Sequence, residues 1–209
     1  QCFPGLLLDY TKDIQINSAR IWPTPLTLSQ YASITGKNTY PDFLKKDIVK
    51  DSILNTHANG EMNYTLKDIH VKIIARWDYK AAEGGDTHHA IVKGTKATLE
   101  IRQSKTENFK PVLYILSSGN NKDGFDAAVQ EAVATIAAKY PGVNAEKQGN
   151  EWKVIIPSSY DVGHEAHFGQ VMERYLQYLK AGSLPEWEVP NMIAKYYTTT
   201  KALEIATKQ

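Results

Sequence analysis

The amino-acid sequence predicts an α+β fold, an open and mainly antiparallel β-sheet with helices packed on one face. Three observations predict it. From Ile69 the chain alternates, with Ile69, Val71, Ile73, Ala75, Trp77 and Tyr79 on one side and His70, Lys72, Arg76 and Asp78 on the other. Only Ile74 breaks the polar set, and a period of two over that length is a strand signal. From Phe125, and again from His164, apolar residues instead recur at three and four, the spacing of amphipathic helices. Strand-like and helix-like runs are also segregated along the chain, which favours antiparallel pairing over βαβ units.

Taken in order, residues 15–22 read as a strand ended by Pro23 and Pro25, which cannot continue a ladder. Residues 27–34 suit a short helix with Thr27 as N-cap and Gly36 as its close. Residues 37–51 read as loop with at most one helical turn. Asn59-Gly60 between two extended runs predicts a type I′ hairpin, with residues 53–58 and 61–66 as its arms. The alternating stretch from Ile69 follows, then the turn Glu83-Gly84-Gly85-Asp86-Thr87-His88-His89 and a returning strand over 94–102. The whole of 69–102 is expected at the centre of the sheet, with the apolar face of 69–79 under the C-terminal helices.

Residues 111–116 add a short strand, and the Gly-, Asn- and Ser-rich residues 117–124 a loop. A helix over 125–140 is stopped by Pro141-Gly142, and a strand over 151–156 ends at Pro157. Two helices close the chain. One spans 164–181, with Phe168, Val171, Met172, Tyr175 and Leu179 on one stripe and Gly182 as C-cap. The other spans about 191–208, with Met192, Tyr196, Thr199, Leu203 and Ala206 on the side expected to be buried.

Length and composition narrow the function classes. The 209 residues allow one generous domain or two small ones, and 42% hydrophobic with 22% charged residues is ordinary for a globular chain. A net charge of +1 without a basic block removes the electrostatic footprint of a nucleic-acid binder. Cys2 is the lone cysteine, so an internal disulfide or a cysteine-rich zinc site is excluded. No apolar run is long enough for a membrane span, and the segment from Phe3 to Leu8 is too short for a signal-peptide core. The expected state is soluble, with cytoplasm and periplasm equally open. Gln1-Cys2-Phe3-Pro4-Gly5 reads as the start of a fragment cut at a domain boundary.

Two windows hold four of the six histidines. The first is the glycine turn, with Glu83, Asp86, His88 and His89; strand alternation sends the two histidines to opposite faces. It reads either as a tight turn or as one wall of a site. The second is Asp161, His164, Glu165 and His167, where a three-residue spacing places both imidazoles on one side of a helical turn. Those residues suit a polar substrate pocket, a metal, or simple capping by Asp161; a pair at i, i+3 without a third ligand is a poor metal site. Glu100 and Arg102 read as a surface pair of little weight. Trp77, beside the turn, reads as core or as a stacking platform for a sugar. No Gly-x-Gly-x-x-Gly, P-loop or Gly-x-Ser-x-Gly is present.

Several stretches carry a resemblance. They are Trp22-Pro23-Thr24, Asn59-Gly60-Glu61-Met62-Asn63-Tyr64, Gly85-Asp86-Thr87-His88-His89 with Gly94-Thr95-Lys96-Ala97, Lys110-Pro111-Val112-Leu113-Tyr114-Ile115, and Gly163-His164-Glu165-Ala166-His167-Phe168. Leu184-Pro185-Glu186-Trp187 and Lys195-Tyr196-Tyr197 also fit. Through them nearly the whole chain resembles the C-terminal domain of the Gfo/Idh/MocA oxidoreductases, and most of all the subgroup named putative oxidoreductase C-terminal domain. The resemblance implies a C-terminal domain of the glyceraldehyde-3-phosphate dehydrogenase-like type, read as a single domain over 1–209 with an insertion at 117–157.

It further implies an N-terminal Rossmann domain outside this chain, NAD or NADP bound there and not here, and the family's catalytic lysine and histidine lying in that absent part. This chain would then supply a sugar- or cyclitol-facing site drawn from Trp77, Glu83, Asp86, His88, His89, His164 and His167. It would also form a homo-oligomer through its sheet face, with no nucleic-acid or membrane partner. No catalytic, cofactor-binding or metal residue is expected within it, and the isolated fragment is expected to be inactive. Two other readings remain: a stand-alone carbohydrate-binding or scaffold module, and a metal-dependent hydrolase using His164 and His167.

Overall fold

The structure is a computed structural model that describes residues 6–50, 52–81, 84–119 and 124–208. In chain order its elements are α1 (Tyr10–Asp13), β1 (Ile14–Pro23), α2 (Leu28–Thr35), β2 (Ile48–Val49), β3 (Ile53–Leu54), β4 (His57–Leu66) and β5 (Ile69–Ala75). Then come β6 (His88–Lys93), β7 (Ala97–Gln103), β8 (Val112–Ser117), α3 (Phe125–Lys139), β9 (Asn144–Gln148), β10 (Glu151–Ile155), α4 (His164–Ala181) and α5 (Glu188–Thr207). Every strand pairing is antiparallel. The α+β expectation holds. The contacts divide the stretch read as one domain into two compact units, Gln1–Tyr79 with Tyr175–Gln209, and Lys80–Arg174.

In the first unit β1, β4 and β5 form a sheet in that order, and α5 packs along β1. A bulge at Asn17 resets the alternation of β1, because Ile16 pairs with Tyr64 while Ser18 pairs with Asn63. Ile14 and Ile16 before the bulge therefore share a face with Ala19 and Ile21 after it, and that face meets α5. α2 starts at a full capping box, in which Thr27 and Gln30 satisfy each other's backbone N–H, and ends at Gly36 with φ 70°.

Two expectations fail here. Asn59-Gly60 is not a turn; it lies inside the continuous strand β4, opposite Trp22 and Ile21. Asn59 is buried, and its amide is held by three partners, so the local turn preference yields to tertiary hydrogen bonding. α5 does not bury its large residues. Its buried line is Ala194, Thr198 and Ala202, while Met192, Tyr196 and Leu203 are exposed. Small side chains four residues apart let the helix axis come close to β1, and the bulky ones are turned outward.

In the second unit the sheet order is β6-β7-β8-β10-β9. The residues read as an insertion, 117–157, supply its last two strands and the helix above them. α3 rests on the sheet through Val129 and Val133, which form the core with Trp152. The indole Nε1–H of Trp152 donates to Asp126 in the first turn of α3 at 2.9 Å, and Lys147 also pairs with Asp126. The stretch 69–102 is thus not the centre of one sheet. β5 is an edge of the first sheet and β6 an edge of the second, and the chain passes from one unit to the other between them.

Candidate functional site

The glycine turn leads into β6, whose register fixes its histidines. His88 pairs with Gln103 and His89 with Arg102, so the two point to opposite faces, as period two requires. Asp86 is held by its backbone carbonyl, which accepts from Gln103 Nε2 at 3.1 Å. Gly84 has φ 85°, and a Cβ on Gly85 would lie 2.5 Å from the ring of Phe109. The second glycine is therefore needed for contact with that aromatic ring. Glu83 and Cys2 lie outside the described residues.

On the His89 face, β6, β7, β8 and β10 bring together a half-buried network. Arg102 makes a two-pronged pair with Glu151, Nη1 to Oε1 at 3.0 Å and Nη2 to Oε2 at 2.8 Å, and its Nε donates to Glu100 Oε2 at 2.8 Å. The guanidinium lies 4.3 Å over the ring of Tyr114, whose hydroxyl donates to Glu107 at 3.3 Å. His89 Nε2 stands 3.6 Å from Glu100 Oε2. The hydrogen bonds that Arg102 donates to Glu151 and Glu100 raise its pKa, and Arg102 in turn holds Glu100 below the usual carboxylate range. Burial, then Glu107, pushes the Tyr114 hydroxyl up. The Arg102 guanidinium is matched donor to acceptor with Glu100 and Glu151 and lies over Tyr114, so it ties β7, β8 and β10 together. Glu100 and Arg102 are thus not the weak surface pair that their spacing suggests. Tyr114 and Glu151 join them only because the sheet order sets β8 and β10 beside β7.

The opposite face of this sheet forms an apolar groove of about 950 Å³ against α3, lined by residues such as Leu99, Leu113, Ile115, Val133, Ile136 and Val154. Among the described residues that line it, Lys96 is the only charged one.

His164 and His167 open α4 and are exposed. His167 N–H donates to the Gly163 carbonyl at 3.2 Å, and the His164 ring lies 4.8 Å from that of Phe168. Among the described residues, no hydrogen bond or ion pair joins Asp86, His88 or His89 to either of them. Nor is any group of three His, Cys, Asp or Glu placed to hold a metal ion among the described residues.

Trp77 belongs to the first unit, just past the end of β5. Its N–H donates to Asn59 Oδ1 at 2.8 Å, and its carbonyl accepts from the Thr24 hydroxyl. Asn59 Nδ2 donates to the Trp22 carbonyl at 3.2 Å and to Thr24 Oγ1 at 2.9 Å. This knot fixes the backbone of Trp77 while its side chain stays part-exposed. It also gives a physical reason for Trp22-Pro23-Thr24 and Asn59-Gly60 to occur together, since Thr24 and Asn59 each bond the other and Trp77. Beside it on the polar face, Glu61 bridges Arg20 at 2.9 Å and Lys72 at 3.1 Å, and these partners hold its pKa at about 2.

The model of the family described as "Putative oxidoreductase C terminal domain" matches residues 1–207. The chain belongs to this family. A crystal structure of a "putative oxidoreductase" from Parabacteroides merdae is 44% identical, with a TM-score of 0.95 over 99% of this chain. This chain spans 48% of that one, about half its length. No curated protein matches significantly. As an oxidoreductase C-terminal domain the chain has no described helix long and apolar enough to cross a membrane.

Proposed function

We propose that this chain is the substrate-facing and oligomer-forming half of an NAD(P)-dependent oxidoreductase of the Gfo/Idh/MocA type, acting on a sugar or cyclitol. The observation that carries this reading is the match of the whole chain to an oxidoreductase C-terminal domain family, together with its spanning only half of a similar oxidoreductase. In this reading the nicotinamide cofactor supplies the hydride chemistry from a Rossmann domain outside these residues. This chain's residues bind and orient the substrate. Trp77 offers a ring face to a sugar, and Asp86, His164, His167 and whichever of the oppositely directed His88 and His89 faces the substrate offer donors and acceptors to hydroxyls, with Glu83 three residues before Asp86. The polar face of β1, β4 and β5, bearing Arg20, Glu61 and Lys72, forms the sheet contact between copies.

Calorimetry tests the reading. The 209-residue chain is expected to bind neither NAD nor NADP, and the full polypeptide to bind one nicotinamide cofactor per chain. Stoichiometric NAD or NADP binding by these residues alone refutes it, as does a full polypeptide that binds neither.

A further inference from the structure

Asn59 and Gly60 form the only Asn-Gly pair in the sequence. In a chain free to turn, such a pair cyclises: the glycine nitrogen, with no side chain beside it, attacks the side-chain carbonyl carbon of the asparagine. The fold holds this pair apart from that reaction. Both residues lie in β4, the central strand of its sheet, where Asn59 pairs with Trp22, and Gly60 with Ile21 on one side and Ala75 on the other. The side-chain amide is held as well. Nδ2 donates to the Trp22 carbonyl and Thr24 Oγ1, and Oδ1 accepts from the Trp77 N–H. The ladder between β4 and β5 ends at Ala75, so Asn59 Oδ1 serves the next stretch of chain in place of a backbone carbonyl. All of these groups belong to the first unit.

Position 60 has no conformational need for glycine. Its φ is not positive, and a Cβ there would meet only the Arg20 carbonyl at 4.0 Å, an ordinary contact. Glycine inside a strand weakens it. The strand therefore sets, next to a buried asparagine, the one follower that leaves that asparagine most reactive, with no gain in packing.

We propose that Asn59–Gly60 is a covalent modification site, closed by the knot around Trp77 and opened when that knot breathes. The Gly60 N–H loses its proton to base and the nitrogen bonds Asn59 Cγ. The Cγ–Nδ2 bond breaks, and Nδ2 leaves as ammonia after gaining a proton. Water then opens the succinimide at either carbonyl, giving aspartate or isoaspartate. One water is consumed and one ammonia released, with no oxidant or reductant. Neither product restores the knot. Aspartate loses both donated bonds and sets a charge against the Trp22 carbonyl, and isoaspartate adds a carbon to the backbone of the central strand. Each opening that ends in reaction thus releases the backbone of Trp77 for good. This inference does not rest on the cofactor or substrate assigned above.

The test holds the protein warm at mildly alkaline pH, native in buffer and unfolded in urea, and reads tryptic peptide 51–67 by mass spectrometry for deamidation and isoaspartate. Asn55 and Asn63, followed by Thr56 and Tyr64, are internal references in the same peptide. In urea Asn59 is expected to react at least about tenfold faster than either, and in native protein at least about tenfold slower than in urea. Thr24→Ala should raise the native rate at least about fivefold, the loss of one neutral hydrogen bond. Gly60→Ala should fold and should slow the reaction in urea. Equal native and urea rates overturn the inference, as does an Asn59 no faster than Asn55 in urea. In the parent protein, urea below the unfolding midpoint asks the same question as Thr24→Ala without a variant. A native rate that follows only the globally unfolded fraction overturns it, and so does a deamidated protein, separated by its added charge, that unfolds at the parent's urea midpoint.

Discussion

Replacing Asn59 by alanine should cost the first unit about 2–4 kcal/mol of stability. Asn59 is 6% exposed and makes three hydrogen bonds, to the Trp22 carbonyl, the Thr24 hydroxyl and the Trp77 N–H. Each neutral bond contributes about 1 kcal/mol net, and a buried group left without a partner costs about 1–3 kcal/mol. Asn59→Ala strands the Trp77 N–H and the Trp22 carbonyl together. The Thr24 hydroxyl keeps the Trp77 carbonyl as acceptor and loses least. With a urea m-value of about 2 kcal/mol/M, the unfolding midpoint should fall by about 1–2 M.

The assay is equilibrium unfolding in urea, followed by tryptophan fluorescence and by circular dichroism. Thr24→Ala and the double variant complete a cycle in which the two residues should couple by at least about 0.5 kcal/mol, because they share partners. Asn59→Asp keeps the acceptor for Trp77 but loses both donated bonds and sets a charge against the Trp22 carbonyl, so it should be no milder than alanine. An Asn59→Ala protein within about 0.5 kcal/mol of the parent, or strict additivity with Thr24→Ala, would refute the reasoning.

Two further outcomes follow from the charge networks. Glu61 has its folded pKa lowered from 4.5 to about 2, so its contribution is fully present above pH 4.5 and is lost as pH falls towards 2. Unfolding measured across that window should show Glu61→Gln with a shallower acid limb than the parent; an unchanged limb contradicts the Arg20–Glu61–Lys72 bridge. Arg102→Met should destabilise the second unit by about 1–3 kcal/mol, since it leaves Glu100 and Glu151 facing each other without their cation. Adding Glu100→Gln and Glu151→Gln should recover part of that loss in thermal unfolding, and a triple variant less stable than Arg102→Met argues against it.

Local chemistry made much of the secondary structure legible. Thr27, Gln30 and Gly36 carry their capping geometry in the sequence, and α2 begins and ends where they dictate. α3 and α4 follow apolar periodicity to within a residue of the expected bounds, and the opposed histidines of β6 follow from period two. What failed was the choice of partner. Periodicity at Met192, Tyr196 and Leu203 correctly marks a helix face, but the face α5 buries is the narrow line of Ala194, Thr198 and Ala202, selected by how closely β1 approaches.

The candidate site divides the same way. The sequence alone determined that Asp86, His88 and His89 follow a glycine turn, that His164 and His167 open a helix, and that the chain is of an oxidoreductase C-terminal family. Only the tertiary structure decided that Arg102 is clamped by Glu151 across β8, that Asn59 ties Trp77 to Thr24, and that β5 and β6 belong to different sheets. Caps, turns and alternation depend on neighbours within a few residues and can be read from sequence. Hydrogen bonds between residues 18 to 49 positions apart depend on strand order and on two register shifts between β1 and β4, at Asn17 and between Trp22 and Pro23, which no local pattern encodes.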